Sequence, residues 1–171
     1  MAFFRSTTNH KYVFYVYFYP LLDYFYLLEM MGYLKSIDKE TIDKDDYIIL
    51  ITKNIYEWVC YEYSNHQKNF PNNLSMFEFM ELSIDTDTLP FGNLYVMYQQ
   101  FQRYFDEIIY HDTEFIQNLQ FYFKEEIPKI HYSIESSYST KDMSTELLNL
   151  IHQHLSYDFI LSNQSMEIDS L

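Results

Sequence analysis

The sequence predicts a mainly α-helical protein, a compact bundle of five to seven helices. Three observations support this prediction. Apolar side chains recur at helical spacing in several stretches, of which residues 43–63 are the strongest. Residues that cap helices precede several of these stretches. Strand candidates are few, so one or two short strands near residues 11–19 and 130–134 are the only β-structure considered.

Residues 43–63 are predicted to form the central helix of the bundle. Asp43 would cap it, and two further aspartates would lie in its first turn, where the helix dipole favours negative charge. One face of the helix would carry Ile48, Ile51, Ile55, Trp58, Val59 and Glu62; all but Glu62 are apolar, and together they would form one buried stripe. The stripe contains the only tryptophan and adjoins the only cysteine, Cys60. A helix this apolar must be covered by others.

The N-terminal region allows two interpretations. Residues 1–10 are predicted to be an arm of uncertain order. Residues 11–19 are aromatic and β-branched, which by propensity alone predicts a strand. Pro20 then either begins a helix over residues 21–34 or kinks one long helix. Because a strand needs partners and few are visible, the helical interpretation is preferred, and residues 35–42 become a polar connection.

A capping box predicts the next short helix. Ser75 is followed three residues later by Glu78, and a helix over residues 74–82 follows from this pair. Residues 83–93 contain a proline, a glycine and two aspartates without any periodicity. They are predicted to form a loop, and exposed loops often carry binding residues.

Three further helices complete the predicted bundle. One runs from Asn93 to about His111, a second from Asp112 or Thr113 to the proline at 128, and a third from Asp142 to as far as residue 161. At 171 residues the simplest organisation is one domain, which we place at residues 11–161. A polar tail over residues 162–171 would follow it.

The charge of the chain limits its partners. It carries 25 acidic and 11 basic residues, for a formal net charge of −14. This disfavours direct binding to nucleic acid, where basic residues must neutralise phosphates, and disfavours anionic membrane surfaces. It favours a protein partner with a basic surface. The alternative is that the acidity only keeps an aromatic-rich protein soluble.

Cysteine content and hydropathy predict a reducing, intracellular location. Cys60 is the only cysteine, so the chain can form no internal disulfide. No secretory signal is visible, and Asp23 and Glu29 interrupt the one candidate membrane span. We therefore expect a cytoplasmic protein, or one in the host cytoplasm if the source is viral.

The sequence contains no familiar catalytic motif. It has no HExxH, no GxSxG and too few glycines for a phosphate-binding loop, so no metal, cofactor or catalytic residue is predicted. Glu107, His111 and Glu114 are spaced to share one helix face and could bind a metal. The predicted helix break at Asp112 favours a solvated acidic face instead. Cys60 has no basic neighbour and is predicted to be core.

Tyrosine and acidic residues are the most unusual feature of the chain. Nineteen tyrosines are too many for a core, so many must lie at the surface, where tyrosine is a frequent binding hot spot. Tyr12, in the first aromatic segment, is one candidate; codon bias of an AT-rich genome is the alternative explanation. The predicted binding residues combine acids with tyrosines: Asp43, Asp45, Asp46, Glu57, Tyr61, Glu62, Asp85, Asp87, Tyr95, Asp106, Glu107 and Glu114.

These observations predict a non-enzymatic binding protein. It would inhibit a partner by covering a basic, nucleic-acid-handling surface, as a viral, phage or toxin-immunity protein that mimics DNA would do. A second hypothesis is a viral helical bundle that captures an amphipathic host helix in an apolar groove. A third is an enzyme with an unfamiliar site. The exposed aromatic first segment also allows a homodimer.

Overall fold

The computed structural model describes residues 1–69, 73–86, 105–130, 134 and 136–154. Its contacts divide the chain into two units, each discontinuous in sequence. The sheet unit comprises Met1–Lys53 and Phe105–Ser133, and the helical unit comprises Asn54–Tyr104 and Ile134–Leu171. The predicted C-terminal tail, residues 162–171, lies outside the described residues.

A five-stranded mixed sheet is the body of the sheet unit. Its strands are β1 (Ala2–Ser6), β2 (Tyr12–Val16), β3 (Leu34–Ile37), β4 (Tyr47–Thr52) and β5 (Glu107–Tyr110). They lie in the order β3-β1-β2-β4-β5. β1 is antiparallel to β2 and β3, whereas β4 is parallel to β2 and β5. The predicted mainly α-helical fold is therefore wrong.

Within the described residues, five α-helices accompany the sheet. They are α1 (Leu22–Met30), α2 (Ile55–His66), α3 (Met76–Thr86), α4 (Phe115–Gln120) and α5 (Thr145–His154). α1 and α4 belong to the sheet unit, and the other three belong to the helical unit. None of these helices is long and apolar enough to span a membrane.

The two central strands are buried on both faces, which explains their composition. β4 buries every residue after Tyr47, and β2 buries every residue after Tyr12. A strand covered on both sides needs apolar side chains at consecutive positions, so the alternation typical of a half-exposed strand disappears. On one face, Phe14 packs against the rings of Phe25 in α1 and of Phe123 after α4.

The predicted central helix over residues 43–63 is two elements. Its first half is β4, and only its second half, α2, is helical. Asn54 lies between them and caps α2 by accepting a hydrogen bond from the backbone N–H of Tyr56. The isoleucines of β4 match helical spacing by coincidence, because a short continuous apolar run fits a buried strand equally well. Cys60 is buried, as predicted.

Three other segments, predicted to be an arm, a polar connection and the end of a helix, also form strands. The expected N-terminal arm contains β1, and the expected polar connection at 35–42 contains most of β3 followed by a 3₁₀ turn at Lys39–Thr41. The end of the helix predicted from Asn93 to His111 is β5. These strands supply the partners whose apparent absence favoured a helix at residues 11–19, and that helical interpretation is wrong. At 130–134, Ile130 and Ile134 lie in neither a helix nor a strand, and the residues between them lie outside the description.

Two helices were predicted from their local signals. α1 lies within the predicted range of 21–34, and Gly32 follows it with φ of +87°, a conformation that glycine adopts readily. α3 begins with the predicted capping box, in which Ser75 and Glu78 exchange hydrogen bonds with each other's backbone N–H groups. It continues to Thr86, into the expected loop at 83–93.

The helical unit has its own apolar core. Val59 of α2, Phe79 of α3 and Ile151 of α5 are almost fully buried in it. α5 begins at Thr145 rather than beside Asp142, because Asp142 instead closes a capping box with Ser139 around a 3₁₀ turn. α4 is shorter than predicted. Residues 93–104 and 155–161, which belong to two of the predicted helices, lie outside the described residues.

Candidate binding cleft

The first residues of three parallel strands meet at one end of the sheet. Tyr12 begins β2, Tyr47 begins β4 and Glu107 begins β5. The register pairs Tyr12 with Tyr47, and it pairs Glu107 with Ile49, two residues into β4. In a sheet, residues at paired positions project from the same face. Backbone pairing alone therefore assembles two phenols and a carboxylate from distant parts of the chain.

Asp106 anchors the start of β5 to β4. Its carboxylate Oδ2 accepts the backbone N–H of Ile48 at 2.8 Å, and its own N–H donates to the carbonyl of Ile48 at 2.9 Å. The side chain and backbone of Asp106 thus continue the hydrogen bonding between β4 and β5 to the residue before β5 begins. This pairing fixes the position of the neighbouring Glu107.

Four aromatic rings form a continuous row beside these strand ends. The ring of Tyr12 meets that of Tyr47 edge to face at a centroid distance of 5.8 Å and that of Tyr122 at 4.9 Å. Tyr122 in turn meets Phe121 edge to face at 5.2 Å. Such perpendicular contacts are favourable between aromatic rings. Phe121 ends the row and is 80% exposed.

The rings line a cleft of about 770 Å³ together with polar side chains. Gln117 and Asn118 of α4 lie on its wall with Glu107. We call this feature the aromatic–acidic cleft. Within the described residues no hydrogen bond engages the side-chain amides of Gln117 and Asn118. The cleft therefore combines an aromatic wall with polar groups that can bind a ligand.

A hydrogen bond holds the carboxylate of the cleft in place. The Tyr47 hydroxyl donates to Glu107 Oε2 at 3.1 Å. Burial first, and then the charge of Glu107, this hydrogen bond and the charge of Asp106, together raise the pKa of Tyr47 to about 12. The phenol is therefore protonated near neutral pH and remains a donor. It uses one carboxylate oxygen, Oε2, and leaves Oε1 for another donor.

The predicted acids of the sheet unit lie in different places. Glu107 lines the aromatic–acidic cleft, Asp106 precedes it and binds the backbone of β4, and Glu114 is exposed at the start of α4. Asp43 and Asp45 are exposed and line a second cleft, of about 790 Å³. Four basic side chains line that second cleft with them: Arg5, Lys11, Lys35 and Lys44. The acids there do not form a purely negative surface.

Asp46 is a structural residue. It is 7% exposed and pairs with the Arg5 guanidinium through two hydrogen bonds of 2.8 and 3.0 Å. It also accepts the backbone N–H of Asp43 at 2.8 Å. These contacts tie β1 to the turn before β4, which leaves the carboxylate little capacity for a partner.

The helical unit holds the remaining described candidates. Glu57 and Asp85 are exposed, and Tyr61 is half-buried, with a pKa that burial raises. Glu62 is fully buried, where it accepts from Trp58 Nε1 at 3.1 Å and makes a hydrogen bond with His66 Nε2 at 3.1 Å. It is therefore a core carboxylate. Asp87 and Tyr95 lie outside the described residues.

Sequence reasoning missed Tyr47, Phe121 and Tyr122 as site residues, whereas it named Glu107 as an acid. A signal for Tyr47 was present, because a tyrosine opens each of two apolar strand sequences, YVFYV and YIILIT. Once these segments are paired in parallel, the two tyrosines become neighbours.

The opposite end of the same strands is filled by the protein's own side chains. Phe18, Lys53 and His111 lie just beyond the carboxyl ends of β2, β4 and β5. Lys53 Nζ lies 3.4 Å from His111 Nδ1, and the imidazole stacks on the Phe18 ring at a centroid distance of 5.9 Å. Burial, and then the Lys53 charge, lower the pKa of His111 to about 4. The imidazole is thus neutral at physiological pH.

His111 gives the sheet unit an expected acid sensitivity. Its pKa is about 4 in the folded chain against an ordinary value of 6.5, so the unfolded chain binds the proton more readily. Stability should fall as the pH drops from 6.5 to 4, and after allowance for partial exposure we expect a loss of about 2 kcal/mol. Urea denaturation at a series of pH values measures this loss. His111→Phe should reduce this loss of stability, whereas His10→Gln, at an exposed histidine, should not. Equal losses in the unchanged protein and both variants would contradict the role of His111.

The arrangement does not form the metal site considered for Glu107, His111 and Glu114. Glu107 begins β5 and His111 follows its last residue, so the strand separates the two side chains. Within the described parts of the chain, no three or more His, Cys, Asp or Glu residues gather in a way that could hold a metal ion.

Comparison with known proteins adds no relative. No protein-family model, no curated protein and no solved structure matches this chain. The function is therefore argued from the geometry of the cleft.

Proposed function

We propose that this protein binds a basic segment of another protein in the aromatic–acidic cleft. A partner that uses such a segment to hold nucleic acid would be inhibited, because the bound segment is covered. The observation that carries the proposal is the carboxylate of Glu107, held by Tyr47 beside a row of aromatic rings. Cations bind over aromatic faces and pair with carboxylates, so one cleft offers both attractions.

The charge of the whole chain supports the same proposal. A net charge of −14 attracts a basic partner from a distance and raises its association rate. Phe121 supports it locally, because an exposed aromatic ring at the rim of a cleft gains contact area when a partner covers it. The second cleft, with its mixed charges, supplies no comparable attraction for a basic segment.

The proposal is tested by direct binding. The probe is a fluorescein-labelled peptide that alternates lysine, arginine and glycine, and fluorescence anisotropy gives its Kd. Glu107→Gln should weaken binding about tenfold, because one charge-assisted hydrogen bond is lost. Glu40→Gln is the matched control, since it removes one exposed charge that lines neither cleft and should have little effect.

Salt provides the second measurement. Raising the salt from about 0.1 M to about 1 M shortens the Debye length from about 10 Å to about 3 Å, so binding should weaken steeply. Equal affinity of the two variants, or binding that ignores salt, would contradict the proposal.

A further inference from the structure

We infer that the aromatic–acidic cleft accepts an unmodified lysine side chain in preference to trimethyllysine. This inference rests on the proposed function and narrows its ligand to one chemical class, a primary ammonium on an aliphatic stem. Three features of the cleft carry it: the row of rings, the partly used carboxylate and the two side-chain amides.

The row of rings suits the stem of a lysine. Lysine has four methylene groups that pack on apolar surface while the ammonium reaches polar groups. In the cleft, the rings of Tyr12, Tyr47, Tyr122 and Phe121 supply apolar surface, and Glu107, Gln117 and Asn118 supply polar groups. The cleft therefore offers surface for the stem of a lysine and acceptors for its ammonium.

The polar groups suit a donor of three hydrogen bonds. An ammonium has three N–H groups and no acceptor. The cleft offers three side chains that can accept: Glu107 through Oε1, Gln117 and Asn118. Within the described part of the chain, no hydrogen bond of their own protein engages these acceptor atoms. A lysine ammonium in the cleft can thus replace water at one or more of these acceptors.

The same acceptors disfavour trimethyllysine. A quaternary ammonium gains from aromatic faces but has no N–H to donate. It would cover Glu107, Gln117 and Asn118 without a hydrogen bond, and covered polar groups without partners are costly.

The test uses three peptides that are identical except at one central residue. That residue is lysine, trimethyllysine or the uncharged norleucine, within glycine–serine flanks, and anisotropy gives each Kd. We expect lysine to bind most tightly and trimethyllysine about tenfold more weakly, the effect of one lost charge-assisted hydrogen bond. Norleucine should bind most weakly.

Two variants and one control assign the preference to the cleft. Glu107→Gln should remove most of the difference between lysine and norleucine, and Glu40→Gln should preserve it. Gln117→Met changes an exposed helix residue with little risk to folding, and it should narrow the lysine preference over trimethyllysine. An unchanged preference in Gln117→Met would contradict the assignment to these acceptors.

The outcomes separate the inference from the proposed function. If trimethyllysine binds as tightly as lysine and still depends on Glu107, the inference is overturned and the proposed function stands. If no cationic peptide binds more tightly than norleucine, both are overturned.

Discussion

Phe14→Ala is expected to lower the free energy of unfolding by about 4 kcal/mol, the largest effect of any substitution considered. Phe14 is fully buried in β2, and its ring contacts three others: Phe25 of α1, and Tyr122 and Phe123 after α4. Removing it loses the burial of the ring and leaves a cavity that the surrounding rings cannot fill.

Urea denaturation followed by far-ultraviolet circular dichroism measures this loss. Phe121→Ala is the matched control, because it makes the same change at a phenylalanine that is 80% exposed. It should cost less than about 1 kcal/mol. Similar costs for the two variants would contradict the placement of Phe14 in the core.

Asp46→Asn is expected to cost about 3 kcal/mol. The carboxylate is 7% exposed and holds the Arg5 guanidinium by two hydrogen bonds, while Arg5 also donates to the carbonyls of His10 and Thr41. Neutralising the acid leaves a partly buried guanidinium without its counter-charge. We take the lower end of the cost for a buried pair because Arg5 is partly exposed.

The neighbouring residue provides the control. Asp45→Asn removes the same charge from an exposed side chain and should change stability by less than about 0.5 kcal/mol. Arg5→Met combined with Asp46→Leu should cost less than the sum of the two single changes, because neither charge is then left alone. Additive costs would show that the pair is not coupled.

Local signals in the sequence predicted some helices and failed for the sheet. Ser75 and Glu78 define the start of α3 through contacts only three residues apart, so they can be read directly. Residues 48–52 have no such signal. A continuous apolar run buries well in a helix or in a central strand, and the choice depends on its neighbours.

The candidate cleft was less predictable than the fold because its parts are distant in sequence. Glu107 could be named as an acid near tyrosines, but its partner Tyr47 lies 60 residues earlier in the chain. Tyr12 is brought beside Tyr47 by strand register, and register depends on the whole sheet. Asp46 and Glu62 were both named as binding acids, yet both are buried. Glu62 shares the spacing of the apolar stripe in α2 and is bonded by Trp58, whereas nothing near Asp46 in sequence shows that Arg5 pairs with it.

Because the sheet unit is made of two separate segments of the chain, its folding during translation is delayed. β4 and β5 are adjacent in the sheet, yet the segment Asn54–Tyr104 that separates them in sequence belongs to the helical unit. Until Tyr110 leaves the ribosomal exit tunnel, the β4 segment of the nascent chain lacks β5 as its neighbour. Its unpaired backbone N–H and C=O groups can then form hydrogen bonds with another extended chain. Translation speed across this interval, or a chaperone that covers it, should therefore govern the yield of correctly folded molecules.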